Sequence, residues 1–183
     1  MPPEKGQAVL KQKTAQKKAM DEKKAKDKKD RLFHDTKKFL QSYRRLELSL
    51  RRSKAMQTKR LAANDTSLEW DLREDEIEFN DMVLKEAITA LHYLKQMPEM
   101  GQIWYHLLQM KYFDIRPYRV SDDSIIKALQ KAGMLEDISK TTFYRYQKSA
   151  IQTYGEILWG SLDKHSPVYQ HFVKMIHSHE LQL

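Results

Sequence analysis

Ser121 to Trp159, SDDSIIKALQKAGMLEDISKTTFYRYQKSAIQTYGEILW, most limits what this chain can fold into, because it reads as helix, turn, helix. Ser121 and Asp122 can accept from the free N–H groups of a helix beginning at Asp123, and Ser139 can do the same for one beginning at Lys140. Ile125, Ile126 and Leu129 give the first helix an apolar face, and Phe143, Tyr146, Ala150 and Ile157 give the second its own. Gly133 stops the first helix, and Met134, Leu135 and Ile138 can pack back on a core. Lys140, Thr141, Tyr144, Arg145 and Lys148 are left on the outer side of the second helix, a row that suits a DNA groove.

With only five Gly and five Pro in 183 residues, most of the remaining chain also reads as helix. The expected class is all-α: a helical C-terminal domain holding the helix-turn-helix, preceded by a long basic arm that is helical or partly disordered. The length suits one domain plus an appendage, and a charged fraction of 32% against 40% apolar residues places part of it outside any core. The absence of cysteine excludes disulfides, thiolate metal sites and cysteine nucleophiles, and fits a reducing cytosol. No apolar run approaches the roughly 20 residues of a membrane helix, so no membrane is expected as a partner, and the lysine-rich start does not read as a signal peptide. The expected location is the cytoplasm.

The net charge of +8 is unevenly spread. Residues 1–30 carry +5, 31–63 carry +8, 64–100 carry −7 and 101–183 carry +2. Residues 1–30 hold almost no large apolar side chains, so they read as a frayed helix or coil serving either as a phosphate-neutralising arm or as a solubilising tail. From 31 to 63, Leu32, Phe39, Tyr43, Leu46 and Leu50 recur at helical spacing among basic residues. This amphipathic helix could lie along DNA, pair with a second copy as a short coiled coil, or serve as a core helix with a solvated face; a membrane-surface helix shares the signature, but the thin aliphatic stripe argues against strong insertion. Lys37, Lys38, Arg44, Arg45, Arg51 and Arg52 are its candidate phosphate contacts.

Residues 64–98 open with a polar break and an acidic stretch around Trp70 and Leu72, then read as a helix from about Glu74 to Met97. Its expected stripe is Ile77, Leu84, Ile88 and Leu91, supported by Val83, Ala87 and Leu94, and its acidic face reads first as a partner for the basic helix before it and second as a phosphate mimic that keeps the arm from binding at random. Pro98 ends it. Residues 99–160 begin with a short core helix of Ile103, Trp104, Leu107, Leu108 and Phe113, in which His106 reads as a packed histidine. Arg116 and Arg119 follow in a loop as candidate phosphate clamps. Residues 161–183 read as a last helix from Ser166, with Tyr169, Phe172, Val173 and Ile176 inward. Its His171, His177 and His179, with His165, lack a carboxylate at the spacing of a hydrolytic zinc site, so no metal and no cofactor are expected.

LQSYRRLELSLRR, the acidic and apolar helix, WYHLLQMKYF and ISKTTFYRYQKSAIQTYGEIL, in this order, resemble the ArpU family of phage and prophage transcriptional regulators. The resemblance covers roughly Thr36 to Leu158 and is most specific where Ser139, Thr142, Phe143, Tyr144, Arg145, Lys148 and Ala150 stand in the family's order. It implies a sigma-factor-like reading domain, control of late phage genes, duplex DNA as ligand, bacterial RNA polymerase as a partner, and a place on the nucleoid of a bacterial cell. The lysine-rich start and the tail beyond Gly160 depart from the family's pattern.

The expectation is therefore a sequence-specific DNA-binding regulator without catalytic activity. Its DNA-facing residues are Arg116, Arg119, Lys127, Lys131, Ser139, Lys140, Thr141, Thr142, Tyr144, Arg145 and Lys148, with Arg145 best placed to read a guanine edge. A rival from another class is an assembly protein such as a small terminase subunit, which also joins a helix-turn-helix to oligomerising helices. An enzyme is disfavoured, since no Gly-rich phosphate loop or Ser/His/Asp context is present.

Overall fold

The structure, a computed structural model, describes residues 4–63, 74–115, 119–161 and 170. Most of the described residues are helical, with no strand among them, so the fold is all-α. The elements are α1 (Glu4–Ala63), α2 (Glu74–Lys95), α3 (Gly101–Leu108), a π-helical turn (Gln109–Phe113), α4 (Asp122–Lys131) and α5 (Lys140–Ser161). The polar break and acidic stretch before α2, and the expected last helix with its four histidines, lie outside the described residues.

α1 is one unbroken helix, where the sequence suggested a frayed or coiled arm followed by a separate helix. Strong helix formers and the absence of proline between residues 4 and 63 explain the continuity, since lack of an apolar face removes packing but not helix propensity. At about 1.5 Å per residue the helix is about 90 Å long. Where the side chains are described between Lys17 and Arg31 they are exposed; from Leu32 onward α1 buries Thr36, Phe39, Leu40, Tyr43, Leu50 and Ser53 against the rest of the chain.

The C-terminal half of α5 lies at the centre, packed on α1, α2 and α3. Ile151, Tyr154, Leu158 and Trp159 are buried there, whereas Tyr146 and Ile157, expected on the inner face, are only half-buried. The Tyr154 hydroxyl donates to the Ala87 carbonyl of α2 at 3.0 Å, and burial holds its pKa well above the usual tyrosine value. Phe113 sits between Tyr43 and Tyr154, with ring centroids 4.4 and 5.9 Å away. The Trp159 Nε1–H donates to the Thr36 hydroxyl at 2.8 Å, and that hydroxyl donates to the Leu32 carbonyl at 2.7 Å. Gly155 makes this contact possible, because a Cβ there would run into the Thr36 hydroxyl.

α2 presents Ile77, Val83, Leu84, Ala87, Ala90, Leu91 and Leu94 to the core. Ile88, assigned to that stripe from the sequence, is 37% exposed, since Ala87 and Leu91 already occupy the middle of the face and place it on the flank. Asp81 bridges Lys54 of α1 at 2.6 Å and Lys85 at 2.9 Å, so the basic and acidic helices do meet. In α3, Leu107 and Leu108 are buried, while Ile103, Trp104 and His106 are half-buried. His106 lies edge-on to Tyr105 at 5.0 Å, and its pKa is lowered by burial and then by Lys95.

Candidate nucleic-acid interface

α4 starts where its cap sets it: the Ser121 hydroxyl accepts from the Ser124 N–H at 3.2 Å. It ends in a left-handed stop, with Gly133 at φ 67°, its N–H on the Gln130 carbonyl at 2.9 Å and the Met134 N–H on the Leu129 carbonyl at 3.0 Å. This pair of bonds satisfies the last carbonyls of the helix and turns the chain back. Met134, Leu135 and Ile138 then pack on the core. The connection, residues 132–139, is longer than the three or four residues common in helix-turn-helix units. The Gln130 amide steadies it by donating to the Glu136 carbonyl at 3.4 Å and the Asp137 carboxylate at 3.3 Å.

α5 starts on Ser139, whose hydroxyl accepts from the Thr142 N–H at 3.2 Å while the two hydroxyls share a bond of 3.1 Å. Both of these candidate DNA contacts are thus engaged in the cap. Phe143 is fully buried and anchors the first turn. That places Thr141, Tyr144, Arg145 and Lys148 on one exposed face, with Tyr144 51% exposed. Lys127 and Lys131 are exposed on α4, and Arg119 is exposed before it. Arg116 falls outside the described residues.

The first turn of α4 carries two adjacent carboxylates, one tied to the body and the other to α5. Asp122 binds the Lys111 ammonium of the π turn at 2.6 Å, and Lys111 also donates to the Gln147 side chain of α5 at 3.2 Å. Gln147 in turn donates to the Tyr112 hydroxyl at 3.0 Å. Asp123 points the other way and pairs with Lys140 at 3.0 Å; this hydrogen bond and charge push the Lys140 pKa up. Lys111 belongs to no site read from the sequence, because its partners lie 11 and 36 residues away.

Lys127, Lys131, Arg145 and Lys148 make no ion pair among the described residues, so their charge is available to a ligand. Between residues 119 and 148 six basic side chains face four acidic ones, which leaves this end of the molecule only mildly cationic.

The six candidate phosphate contacts on α1 do not share one face. Arg45 and Arg52 are exposed, and Lys37 and Lys38 are half-buried. Arg51 pairs with Glu47 at 2.9 Å. Arg44 departs furthest from the expectation: its guanidinium donates to the Met110 and Lys111 carbonyls at 3.3 and 3.2 Å. Those groups lie at the end of the α3 and π-turn segment, where carbonyls lack intrahelical partners, so Arg44 acts as a cap across the core and is already occupied.

Among the described residues no three His, Asp or Glu side chains gather closely enough to hold a metal ion, and no helix is long and apolar enough to cross a membrane. Comparison with known protein families, with curated proteins and with solved structures finds no match.

Proposed function

We propose that this chain is a sequence-specific duplex-DNA-binding regulator, with α5 entering the major groove by its N-terminal end and α4 lying across the backbone. The observation that carries the reading is the row of Thr141, Tyr144, Arg145 and Lys148: solvent-exposed, rooted on buried Phe143, and flanked by the exposed Lys127 and Lys131. Such a row offers one planar bidentate donor, two hydroxyls and cations beside them, the mixture that reads base edges and positions on phosphates. Arg145 reads a guanine edge, and Lys127, Lys131 and Lys148 contact phosphate. The resemblance to ArpU-type regulators adds the context of phage or prophage late genes and RNA polymerase as a partner.

Arg145→Ala tests the assignment in a fluorescence-anisotropy titration against a selected duplex and a scrambled one. The selected duplex should lose about 1–3 kcal/mol, and the scrambled one much less. Equal losses on both would remove Arg145 as a reader.

A further inference from the structure

The basic residues of α1 fall into two groups once their partners are known. Arg44 is held by two backbone carbonyls, Arg51 by Glu47 and Lys54 by Asp81. Arg45, Arg52 and Lys59 are exposed and make no ion pair among the described residues. These three stand at a spacing of seven, and the spacing continues toward the N-terminus through Lys38, Arg31, Lys24 and Lys17. Every position of that series between Lys17 and Lys59 is Lys or Arg; Lys38 is half-buried and the others are exposed.

A seven-residue repeat returns to nearly the same side of an α-helix, drifting by only about 20° per repeat, and advances about 10.5 Å each time. The series is therefore one slowly winding row, about 63 Å long from Lys17 to Lys59. Its C-terminal part runs opposite the face that buries Tyr43 and Leu50. Between Lys38 and Lys59 the residues three and four positions from each cation are almost all uncharged, among them Gln41, Ser42, Leu48, Ser49, Ala55 and Met56. No carboxylate within α1 stands beside Arg45, Arg52 or Lys59 to neutralise them. A cationic edge of this length, winding by about 120° from end to end, matches a linear polyanion, and it exceeds one turn of a duplex, about 34 Å.

We propose that this row is the docking edge for the phosphate backbone of duplex DNA, with Arg45, Arg52 and Lys59 as its principal contacts, and that Arg44, Arg51 and Lys54 serve the fold instead. The proposal rests on the DNA-binding reading only in its choice of polyanion. It assigns affinity to α1 and leaves sequence selection to α5. Leu48 and Met56, 52% and 47% exposed beside the row, give it an apolar margin for the sugar edges.

The test compares two variants with the same loss of charge: Arg45→Gln/Arg52→Gln/Lys59→Gln on the row, and Lys37→Gln/Arg51→Gln/Lys54→Gln off it, each checked for helicity by circular dichroism. Binding to a random 30-base-pair duplex is measured as a function of salt. Each phosphate contact contributes about 0.9 to the slope of log affinity against log salt, so the on-row variant should lose about 2–3 from the slope and the off-row variant less than about 1. Equal slope changes would show that net charge alone matters and would overturn the row, as would an unchanged slope for the on-row variant. If the off-row variant loses helicity, the double change Lys37→Gln/Arg51→Gln takes its place with the same expectation. Wild-type binding to phosphatidylserine vesicles without binding to the duplex would overturn the choice of partner. Because the duplex is random, failure of Arg145 to read a base leaves this result standing, and failure of the row leaves the reading helix untouched.

Discussion

Replacing Gly155 by alanine should destabilise the protein, although the same change in a helix interior ordinarily stabilises. The usual gain is about 0.5–1 kcal/mol, from lower chain entropy in the unfolded state and better helix propensity. Here the new methyl group would run into the Thr36 hydroxyl, with the Thr36 Cβ and Cγ2 both 3.3 Å away. Relieving that overlap must move α1 away from α5 or turn Thr36, and overpacking of this kind costs about 1–3 kcal/mol. Turning Thr36 also weakens its bond with the Trp159 Nε1–H, a further cost of about 1 kcal/mol. The balance is a loss of about 2 kcal/mol, which for a domain of this size lowers Tm by roughly 4–8 °C. Gly160→Ala is the control, since a Cβ there meets nothing within 4 Å among the described residues and the ordinary helix gain should survive. Urea unfolding followed by circular dichroism reads both, and Thr36→Ala in the Gly155→Ala background should recover part of the loss. A Gly155→Ala protein more stable than the wild type would refute the close α1–α5 contact.

Three further outcomes follow from the geometry. Gly133→Ala should cost about 1–2 kcal/mol, because the backbone there is left-handed at φ 67°, and an unchanged urea midpoint would contradict the α4 stop. Lys54 and then Lys85 hold the Asp81 carboxyl below its ordinary value, so the stability it contributes is present above about pH 4 and is lost as pH falls toward the depressed value. Asp81→Asn should therefore remove a small part of the acid sensitivity, under about 1 kcal/mol for so exposed a pair, and identical acid titrations of variant and wild type would exclude that link. Lys111→Met should loosen α4 from α5 by removing the bridge between Asp122 and Gln147, read as faster amide exchange in the first turns of both helices of the free protein; unchanged exchange would show that the bridge holds nothing.

Much of this fold is legible from the chain because its signals are local. Ser121, Gly133 and Ser139 mark helix ends through bonds to residues within a few positions, and the structure places those ends at Asp122, Lys131 and Lys140. Phe39, Tyr43 and Leu50 announce the buried face of α1 by spacing alone. What was hidden depends on partners far along the chain. Arg44 reads as a solvated cation, yet it caps carbonyls 66 and 67 residues away. Tyr154 carries a hydroxyl, and nothing before Ala87 is placed beside it says that the group is satisfied in the core, so Ile157 and Tyr146 took its position on the expected face. The division of the α1 cations is intermediate: the seven-residue spacing stands in the sequence, but only the partners of Arg44, Arg51 and Lys54 show which cations are free to meet a ligand.

The central claim is that α5 selects a DNA sequence while α1 supplies grip. Sequencing the duplexes that the purified protein retains from a random library tests it most directly. The account predicts one enriched motif for the wild type, relaxation at a single position of that motif for Arg145→Ala, and weaker retention with the same motif for Arg45→Gln/Arg52→Gln/Lys59→Gln. A retained pool indistinguishable in sequence from the input library would contradict it.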